Sequence, residues 1–360
     1  MKKIAFIMPH VTGRGGTENV VRIVMNLLQN SEFTPKLYLF GGSEDKTWLK
    51  GVNYSETIFS KNKWVRTLQN MLFIFFFIYR FIRKEKPEMV IATHSITCFV
   101  VYWIRKITRE KYPIVSWIHF SLKAENVKAG LLRYADYHLA ICEGINKQFE
   151  LLNIPNYKVF VVNNPIIRTQ RVINRPKIGT FFLYVGRIEF EGQKRVKDLL
   201  DSLQKVEGNW VLQVIGDGAD IDKCKKYADQ LKISDKVSWN GWKAKPWDTV
   251  NQVTTLVMTS SYEGFGMVLA EAISYGVYCV SSDCEVGPSD IIIPQCNGVL
   301  YQTKKVNQLS LILQEIVDGK VLPDPIEIKN SISKFYSENY IETFKLSLER
   351  IDEDWNKLNK

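Results

Sequence analysis

The stretch Ser260-Ser-Tyr-Glu263-Gly-Phe-Gly-Met-Val-Leu-Ala-Glu271-Ala holds two carboxylates eight positions apart on either side of a glycine turn. An apolar run from Thr254 to Met258 precedes it and an apolar helical pattern follows, which predicts a strand, a loop and a helix. The N–H groups and positive dipole end of a helix start favour an anion, and glycines let the backbone approach it closely. The segment predicts a site for a ligand with phosphates and hydroxyls.

Within that site the two carboxylates have different expected roles. Glu263 can accept hydrogen bonds from sugar hydroxyls, and Glu271 can grip a ribose diol. The alternative for Glu271 is an acid in the first helical turn that pairs only with the helix dipole.

Short β-branched runs alternate with helical patterns on both sides of this stretch. The runs are Ile4–Met8, Met89–Ala92, Ile114–Ile118, His138–Cys142, Val159–Val162, Phe181–Val185, Trp210–Ile215, Val237–Trp239, Thr255–Met258 and Val277–Val280. Such alternation predicts βα units and parallel sheets. A chain of 360 residues exceeds one ordinary hydrophobic core, so we expect an α/β protein of two doubly wound domains that meet near Asn163-Asn-Pro165.

The cysteines and the N-terminus indicate the compartment. The six cysteines include no Cys-x2-Cys pair, which argues against a zinc site and a disulfide framework and favours a reducing cytosol. The apolar stretch Ile4–Met8 is too short for a signal peptide and predicts a buried first strand.

Positive charge is concentrated in the first half of the chain. Residues 1–166 hold 23 Lys and Arg against 12 Asp and Glu, a net charge of +11, whereas the remaining 25 basic and 26 acidic residues give −1. This asymmetry favours an anionic partner for the first half: a membrane surface, a phosphorylated glycan or a nucleic acid. The alternative is that the lysines only confer solubility.

The segment Met71–Tyr79 consists of nine consecutive apolar residues flanked by basic ones. A bilayer span needs about 20. The segment can be a buried helix, or a helix whose aromatic side chains enter a membrane interface while basic neighbours meet lipid headgroups. The lack of a polar face favours the buried helix.

Several further residues are candidates for binding. The loop Gly13-Arg-Gly-Gly16 follows the first strand, lets a bound anion approach, and precedes Thr17, which we expect to cap the next helix. Arg187 and Lys194 can converge on one diphosphate if their loop folds back. His119 ends a strand at the edge where such sheets bind ligands.

Two other motifs can be explained either by ligand binding or by a purely structural role. The aromatic groups around Trp242 and Trp247 can flank a flat base, or pack in the interior. Asp220-Ile-Asp222 has metal-binding spacing, but its position at a helix start favours ordinary first-turn acids.

Three motifs together resemble the retaining glycosyltransferases of family 4, which have the GT-B fold. They are Glu263-x7-Glu271, the Gly15-Gly16-x-Glu18 loop, and Gly186-Arg187 with Lys194. The resemblance implies two Rossmann-like domains facing across a cleft, residues 1–166 binding the acceptor and 167–339 the nucleotide sugar. A last helix, about 340–360, would cross back to the first domain. It also implies a UDP-sugar donor and no metal or other cofactor.

The resemblance implies these site residues. His119, Glu263, Arg187 and Lys194 would be catalytic, His119 beside the sugar hydroxyls. Glu18 would bind the acceptor. The donor would contact Gly15, Gly16, Arg187, Lys194, Gly216, Trp242, Glu263, Gly264, Phe265, Gly266, Met267 and Glu271.

A narrower resemblance concerns the substrate. Segments such as Trp117-Ile-His-Phe-Ser-Leu and Phe190-Glu-Gly-Gln-Lys-Arg-Val look like those of enzymes that move galactose from UDP-galactose to the lipopolysaccharide core. In the resembled enzymes proline stands where this chain has Gly266, and methionine where it has Thr17. Phe120 also stands where many family members have aspartate.

Other functions stay open at this stage. Transfer from UDP-glucose or a UDP-N-acetylhexosamine in capsule, exopolysaccharide or teichoic acid assembly is the main alternative. A nicotinamide-dependent oxidoreductase would need a dinucleotide fingerprint that neither half offers, and a nucleic-acid-binding protein would need a recognisable module. We expect no nucleic-acid partner, a lipid-linked or phosphorylated glycan acceptor, and a cytoplasmic location with peripheral contact at the inner face of the membrane.

Overall fold

The computed structural model describes residues 1–125 and 127–359. The chain divides into two compact units. The first contains Met1–Pro165 and the chain from Ser337 onward, and the second is Ile166–Tyr336. The division falls between Pro165 and Ile166, and the chain rejoins the first unit at Ser337.

A seven-stranded parallel sheet forms the centre of the first unit, with the spatial order β3-β2-β1-β4-β5-β6-β7. Its strands are β1 (Lys2–Val11), β2 (Phe33–Ser43), β3 (Tyr54–Ile58), β4 (Met89–Ala92), β5 (Ile114–Trp117), β6 (Tyr137–Ala140) and β7 (Val159–Val161). Its helices are α1 (Gly16–Leu28), α2 (Lys63–Glu85), α3 (Ser95–Thr108) and α4 (Glu143–Leu151), with 3-10 turns at Thr47–Leu49, Ala129–Tyr134 and Asn156–Lys158. Ile4–Met8 is buried throughout, as expected of a central parallel strand covered on both faces.

The second unit contains a six-stranded parallel sheet with the order β10-β9-β8-β11-β12-β13. The strands are β8 (Thr180–Val185), β9 (Trp210–Ile215), β10 (Val237–Trp239), β11 (Thr255–Met258), β12 (Tyr278–Asp283) and β13 (Gly298–Gln302). The helices are α5 (Val196–Leu203), α6 (Ile221–Gln230), α7 (Met267–Ser274), α8 (Pro288–Ile291), α9 (Val306–Val317) and α10 (Pro325–Asn330), with 3-10 turns at Ser234–Lys236, Pro246–Thr249 and Ser333–Phe335.

The last helix, α11 (Ser337–Leu358), packs on the first unit. Its Phe344 ring contacts Trp117 at 5.5 Å between centroids, and the Tyr137 hydroxyl donates a hydrogen bond to Asp354. Lys2 forms an ion pair with Asp352. These contacts explain why the chain returns to the first unit after it has completed the second.

The fold prediction is confirmed: both units are doubly wound parallel α/β sheets. Each predicted run lies in or next to a strand. The strands β2, β3 and β13 were not predicted. The edge strand β3 is largely polar and shows no apolar run. In β2 the short apolar run Leu37–Phe40 stands between Pro35 and two glycines, residues that are typical of turns.

The buried interpretation of Met71–Tyr79 is wrong for most of its residues. Met71, Leu72, Phe73, Phe75, Phe76 and Tyr79 are exposed, and only Ile78 is fully buried. The helix packs through its last turns, where Phe81 stacks on Tyr38 at 4.5 Å and Ile82 is buried. The apolar sequence indicated which side chains of this helix could be buried. How many of them are buried depends on how much of the helix the sheet covers.

Candidate active site

Central strands of the second unit bring Arg187 and Glu263 to one edge. The strand order reverses between the neighbours β8 and β11, and open α/β sheets bind ligands at the carboxyl ends of such strands. Arg187 follows β8 and Glu263 follows β11. The topology therefore supports the sequence prediction that these side chains serve one ligand.

Lys194 and Glu263 form an ion pair, with 2.6 Å between Nζ and Oε1, and both side chains are largely buried. Three hydrogen bonds fix their loops to each other. The Thr259 hydroxyl donates to the Lys194 carbonyl (2.9 Å), the Ser261 N–H donates to the Gln193 carbonyl (2.8 Å), and the Gln193 amide donates to the Tyr262 carbonyl (2.9 Å). The lysine loop is thereby held on the end of β11.

Arg187 is 63% exposed and pairs with Glu189, at 2.9 Å between Nη1 and Oε1. The other oxygen of Glu189 accepts from the Lys194 N–H at 3.2 Å. Burial, followed by the charges of Glu263 and Glu189, raises the pKa of the Tyr184 phenol well above its ordinary value. Glu189 thus contacts both the Arg187 side chain and the Lys194 backbone, so the two ends of this loop lie close together.

Glycines allow the neighbouring strand ends to approach closely. A Cβ on Gly216 would lie 1.8 Å from the Gly186 carbonyl oxygen, so no other residue fits there without moving the backbone. The Gly216 N–H donates to the Gly241 carbonyl at 2.9 Å, which places the half-exposed Trp242 just after β10.

The predicted glycine turn is present at the start of α7. Gly266 is the N-cap residue with φ of 90°, a left-handed conformation that suits glycine. Gly264 and Phe265 lead into it, and Met267 begins the helix. Gly287 lies against the same turn, because a Cβ there would come within 2.2 Å of the Phe265 carbonyl oxygen.

Glu271 is the fifth residue of α7, so the alternative of a first-turn acid is wrong. Its carboxylate accepts a hydrogen bond from the Trp247 indole at 3.0 Å. Burial raises the pKa of Glu271, and the indole hydrogen bond partly opposes that rise.

Trp247 packs in the interior: it is buried and stacks on Tyr275 with 5.3 Å between ring centroids. The sequence analysis did not identify Trp247 as the hydrogen-bond donor to Glu271. It also did not identify Glu189 as the partner of Arg187 and of the Lys194 N–H. The signal for Glu189 was its position two residues after Arg187.

In the first unit, Glu18 holds the glycine loop that follows β1. Its Oε1 accepts from the Gly13 N–H at 3.1 Å and the Gly15 N–H at 3.3 Å, and the side chain is buried. The helix begins at Gly16 with Gly15 as its N-cap. The prediction that Thr17 caps the helix is therefore wrong, because a flexible glycine and the returning carboxylate do this instead.

His119 follows β5 and is buried against Trp117, with 4.4 Å between ring centroids. Among the described residues neither of its ring nitrogens has a hydrogen-bond partner. Burial lowers the pKa of His119 to about 3, so the ring is neutral at physiological pH, with one donor and one acceptor for a ligand. His138 instead is buried within β6, with 2.7 Å between its Nδ1 and the Ser116 hydroxyl.

Asp220 and Asp222 lie at the start of α6. This position agrees with their interpretation as ordinary acids of a first helical turn. Asp220 accepts from the Phe190 N–H at 2.9 Å. In residues 1–125 and 127–359, no three His, Cys, Asp or Glu side chains form a group that can hold a metal ion.

Known proteins match this arrangement. Residues 166–333 match the family model of the group 1 glycosyl transferases. The lipopolysaccharide 1,6-galactosyltransferase of Escherichia coli strain K12 is 38% identical over 346 residues, which cover 94% of this chain and 95% of that protein. This chain belongs to the group 1 glycosyltransferases.

Solved structures agree. The apo form of the lipopolysaccharide outer core galactosyltransferase WaaB has a TM-score of 0.85 at 36% identity, covering 96% of this chain and 99% of that one. The Anabaena protein HepE, in complex with UDP and glucose, has a TM-score of 0.81 at 15% identity, covering 97% and 100%, and shows the fold alone. The predictions of the fold and of a glycosyltransferase are confirmed, and the oxidoreductase alternative is wrong.

Proposed function

We propose that this glycosyltransferase moves galactose from UDP-galactose to a glycan of the lipopolysaccharide core or a similar cell-surface acceptor. The observation that carries the proposal is the Lys194–Glu263 ion pair beside Arg187 at the β8–β11 edge. It combines cations for a diphosphate with a carboxylate for sugar hydroxyls. The identity with lipopolysaccharide galactosyltransferases supports galactose as the sugar.

Each residue of the second unit has one role in this proposal. Arg187 and Lys194 bind the diphosphate, exchanging part of their contact with Glu189 and Glu263 for phosphate oxygens. The turn Gly264–Met267 donates backbone N–H groups to it. Glu263 accepts from the sugar hydroxyls and Glu271 from the ribose diol, while Gly216 and Trp242 line the nucleotide.

We further propose that transfer retains the anomeric configuration. The bond between the sugar C1 and the diphosphate oxygen breaks, and its electrons stay on the diphosphate. The acceptor hydroxyl then bonds to C1 on the same face and gives its proton to the leaving phosphate. Arg187 and Lys194 stabilise the developing negative charge, which is often the largest catalytic contribution. These two cations support a reaction that needs no metal.

The first unit supplies the remaining proposed contacts. Glu18 fixes the loop of Gly15 and Gly16, which contact the donor diphosphate, and through it orients the acceptor. His119, neutral and with two unpartnered nitrogens, hydrogen-bonds the hydroxyls of the transferred sugar. The net charge of +11 in residues 1–166 favours a phosphorylated or lipid-linked acceptor, and a cytoplasmic enzyme that meets the inner face of the membrane peripherally.

The test is UDP release from a panel of UDP-galactose, UDP-glucose and UDP-N-acetylhexosamines with a lipopolysaccharide-core acceptor, before and after EDTA treatment. We expect release with UDP-galactose, unchanged by EDTA. Greater UDP release from another UDP-sugar would show that this sugar nucleotide, and not UDP-galactose, is the donor. Activity that EDTA abolishes and manganese restores would contradict metal-independent transfer and return Asp220 and Asp222 to consideration.

A prediction concerns how Glu271 is held. Trp247→Phe keeps the ring on Tyr275 but removes the indole donor, so UDP should bind about 3- to 10-fold more weakly, since a hydrogen bond contributes about 1 kcal/mol. That hydrogen bond lowers the pKa of Glu271. Its loss raises the pKa further, and the deficit should therefore grow as the pH falls and Glu271 is protonated. Calorimetry with UDP across mildly acidic to neutral pH measures both effects.

The matched control is Trp210→Phe, which removes an indole hydrogen bond to the Val206 carbonyl (2.9 Å) in the same unit. This variant should bind UDP normally. A loss of UDP affinity in Trp247→Phe that is independent of pH would argue against a role through the Glu271 carboxylate.

A further inference from the structure

Helix α2 exposes an apolar face that the proposed reaction does not use. Trp64 is 84% and Met71 76% exposed, and the other exposed apolar residues on the helix are Val65, Leu68, Leu72, Phe73, Phe75, Phe76 and Tyr79. Trp64, Leu68, Met71, Leu72, Phe75, Phe76 and Tyr79 follow at intervals of three and four, so they share one side of the helix. We call these seven residues the α2 stripe. Exposed apolar patches of this size mark interaction sites.

Basic residues predominate among the charges around the stripe. No Asp or Glu occurs between Glu56 and Glu85, whereas Lys61, Lys63, Arg66, Arg80, Arg83 and Lys84 do. Two acidic side chains approach this part of the unit and each is paired: Glu85 with Lys36 at 2.8 Å, and Glu110 with Arg83 at 3.1 Å. An apolar face bordered mainly by basic residues complements an anionic lipid surface, where the apolar side chains enter the acyl boundary and the cations meet headgroups. A second copy of the same surface would place like charges against each other.

The rest of the helix defines how it can meet a bilayer. Helix α2 is long and apolar enough to cross a membrane by length and composition, and 17% of its most apolar 18-residue window is buried. However, Ile78, Phe81 and Ile82 are buried, and Phe81 stacks on Tyr38 of β2. A crossing needs about 20 residues and would pull this last part of the helix out of the core. The exposed part from Trp64 to Tyr79 spans only about 22 Å.

We propose that the α2 stripe is a membrane-docking surface that lies in the plane of an anionic bilayer interface without crossing it. The inference rests on the proposed peripheral location and assigns it to a particular element. The helix α3, which packs beside α2, also exposes Trp103 and Ile107 next to the basic Lys106. Docking through α2 would hold the first unit where lipid-linked acceptors are found.

Vesicle flotation of the full chain tests the proposal, with vesicles of phosphatidylglycerol and phosphatidylcholine against phosphatidylcholine alone, at low and high salt. The wild type should bind the anionic vesicles and be released by salt, since the attraction fades within a Debye length. The triple variant Met71→Ser, Leu72→Ser and Phe76→Ser should bind at least about tenfold more weakly. Its side chains are exposed, so the fold should be retained.

The matched control replaces three exposed apolar residues of the second unit, Ile178→Ser, Leu311→Ser and Val321→Ser, and should bind vesicles like the wild type. Transfer to a water-soluble acceptor should be equal in all three proteins, which separates docking from the proposed reaction. An equal loss in the control, or wild-type binding by the stripe variant, would overturn the proposal. So would resistance to carbonate extraction, which indicates a spanning helix, or a lipid-free dimer that the stripe variant abolishes, which indicates a protein interface.

Discussion

Lys194→Ala is expected to lower the turnover of donor and acceptor by about 30- to 1000-fold. Removing one charge-assisted partner of a developing anion costs about 2–4 kcal/mol of transition-state stabilisation. The Lys194 ammonium lies 2.6 Å from Glu263 Oε1, so the variant also removes the cation that faces a largely buried carboxylate. The rate at saturating UDP-galactose measures the first effect, and chemical unfolding measures the second.

Two variants separate catalysis from stability. Lys194→Arg keeps the positive charge and should retain more activity than alanine. Lys197→Ala removes a comparable ion pair, with Asp201 at 2.8 Å, but one on the outer part of α5. It should lose little activity. Near-normal turnover in folded Lys194→Ala would refute the role of this lysine in the diphosphate clamp.

Glu271→Ala should weaken UDP binding about 10- to 150-fold, whereas Glu263→Ala should spare UDP and impair sugar transfer. A charged hydrogen-bond acceptor contributes about 1.5–3 kcal/mol, and we assign that of Glu271 to the ribose. Glu263 instead contacts Lys194, and its removal frees the ammonium for phosphate oxygens. UDP affinity should therefore be kept or rise. Calorimetry with UDP and the rate with UDP-galactose measure the two losses.

The control for this pair is Glu315→Ala, which removes a carboxylate bonded to Lys320 at 2.7 Å on α9 and should change neither measurement. If both site variants lost UDP affinity equally, the two carboxylates would not have separate roles. Normal UDP affinity in Glu271→Ala would show that the ribose is held elsewhere.

By itself the sequence determined the fold class and indicated most residues of the candidate site. Apolar runs at βα spacing were sufficient for two parallel sheets, because a strand covered on both faces must be apolar throughout. The glycine turn before α7 could also be predicted from the sequence, since Gly266 has a left-handed backbone conformation that suits glycine. Glu263, Arg187 and Lys194 could be named because loops at strand ends follow directly from strand positions.

Tertiary structure alone decided which groups are partners. Trp247 and Glu271 lie 24 positions apart, and nothing local indicates that one orients the other. Glu18 could be read as a ligand contact, yet its carboxylate turns back to the loop N–H groups because they need an acceptor. The apolar content of Met71–Tyr79 was clear from the sequence. Its exposure was not, because burial depends on how much of a helix the neighbouring sheet covers, and here the sheet covers only the last turns.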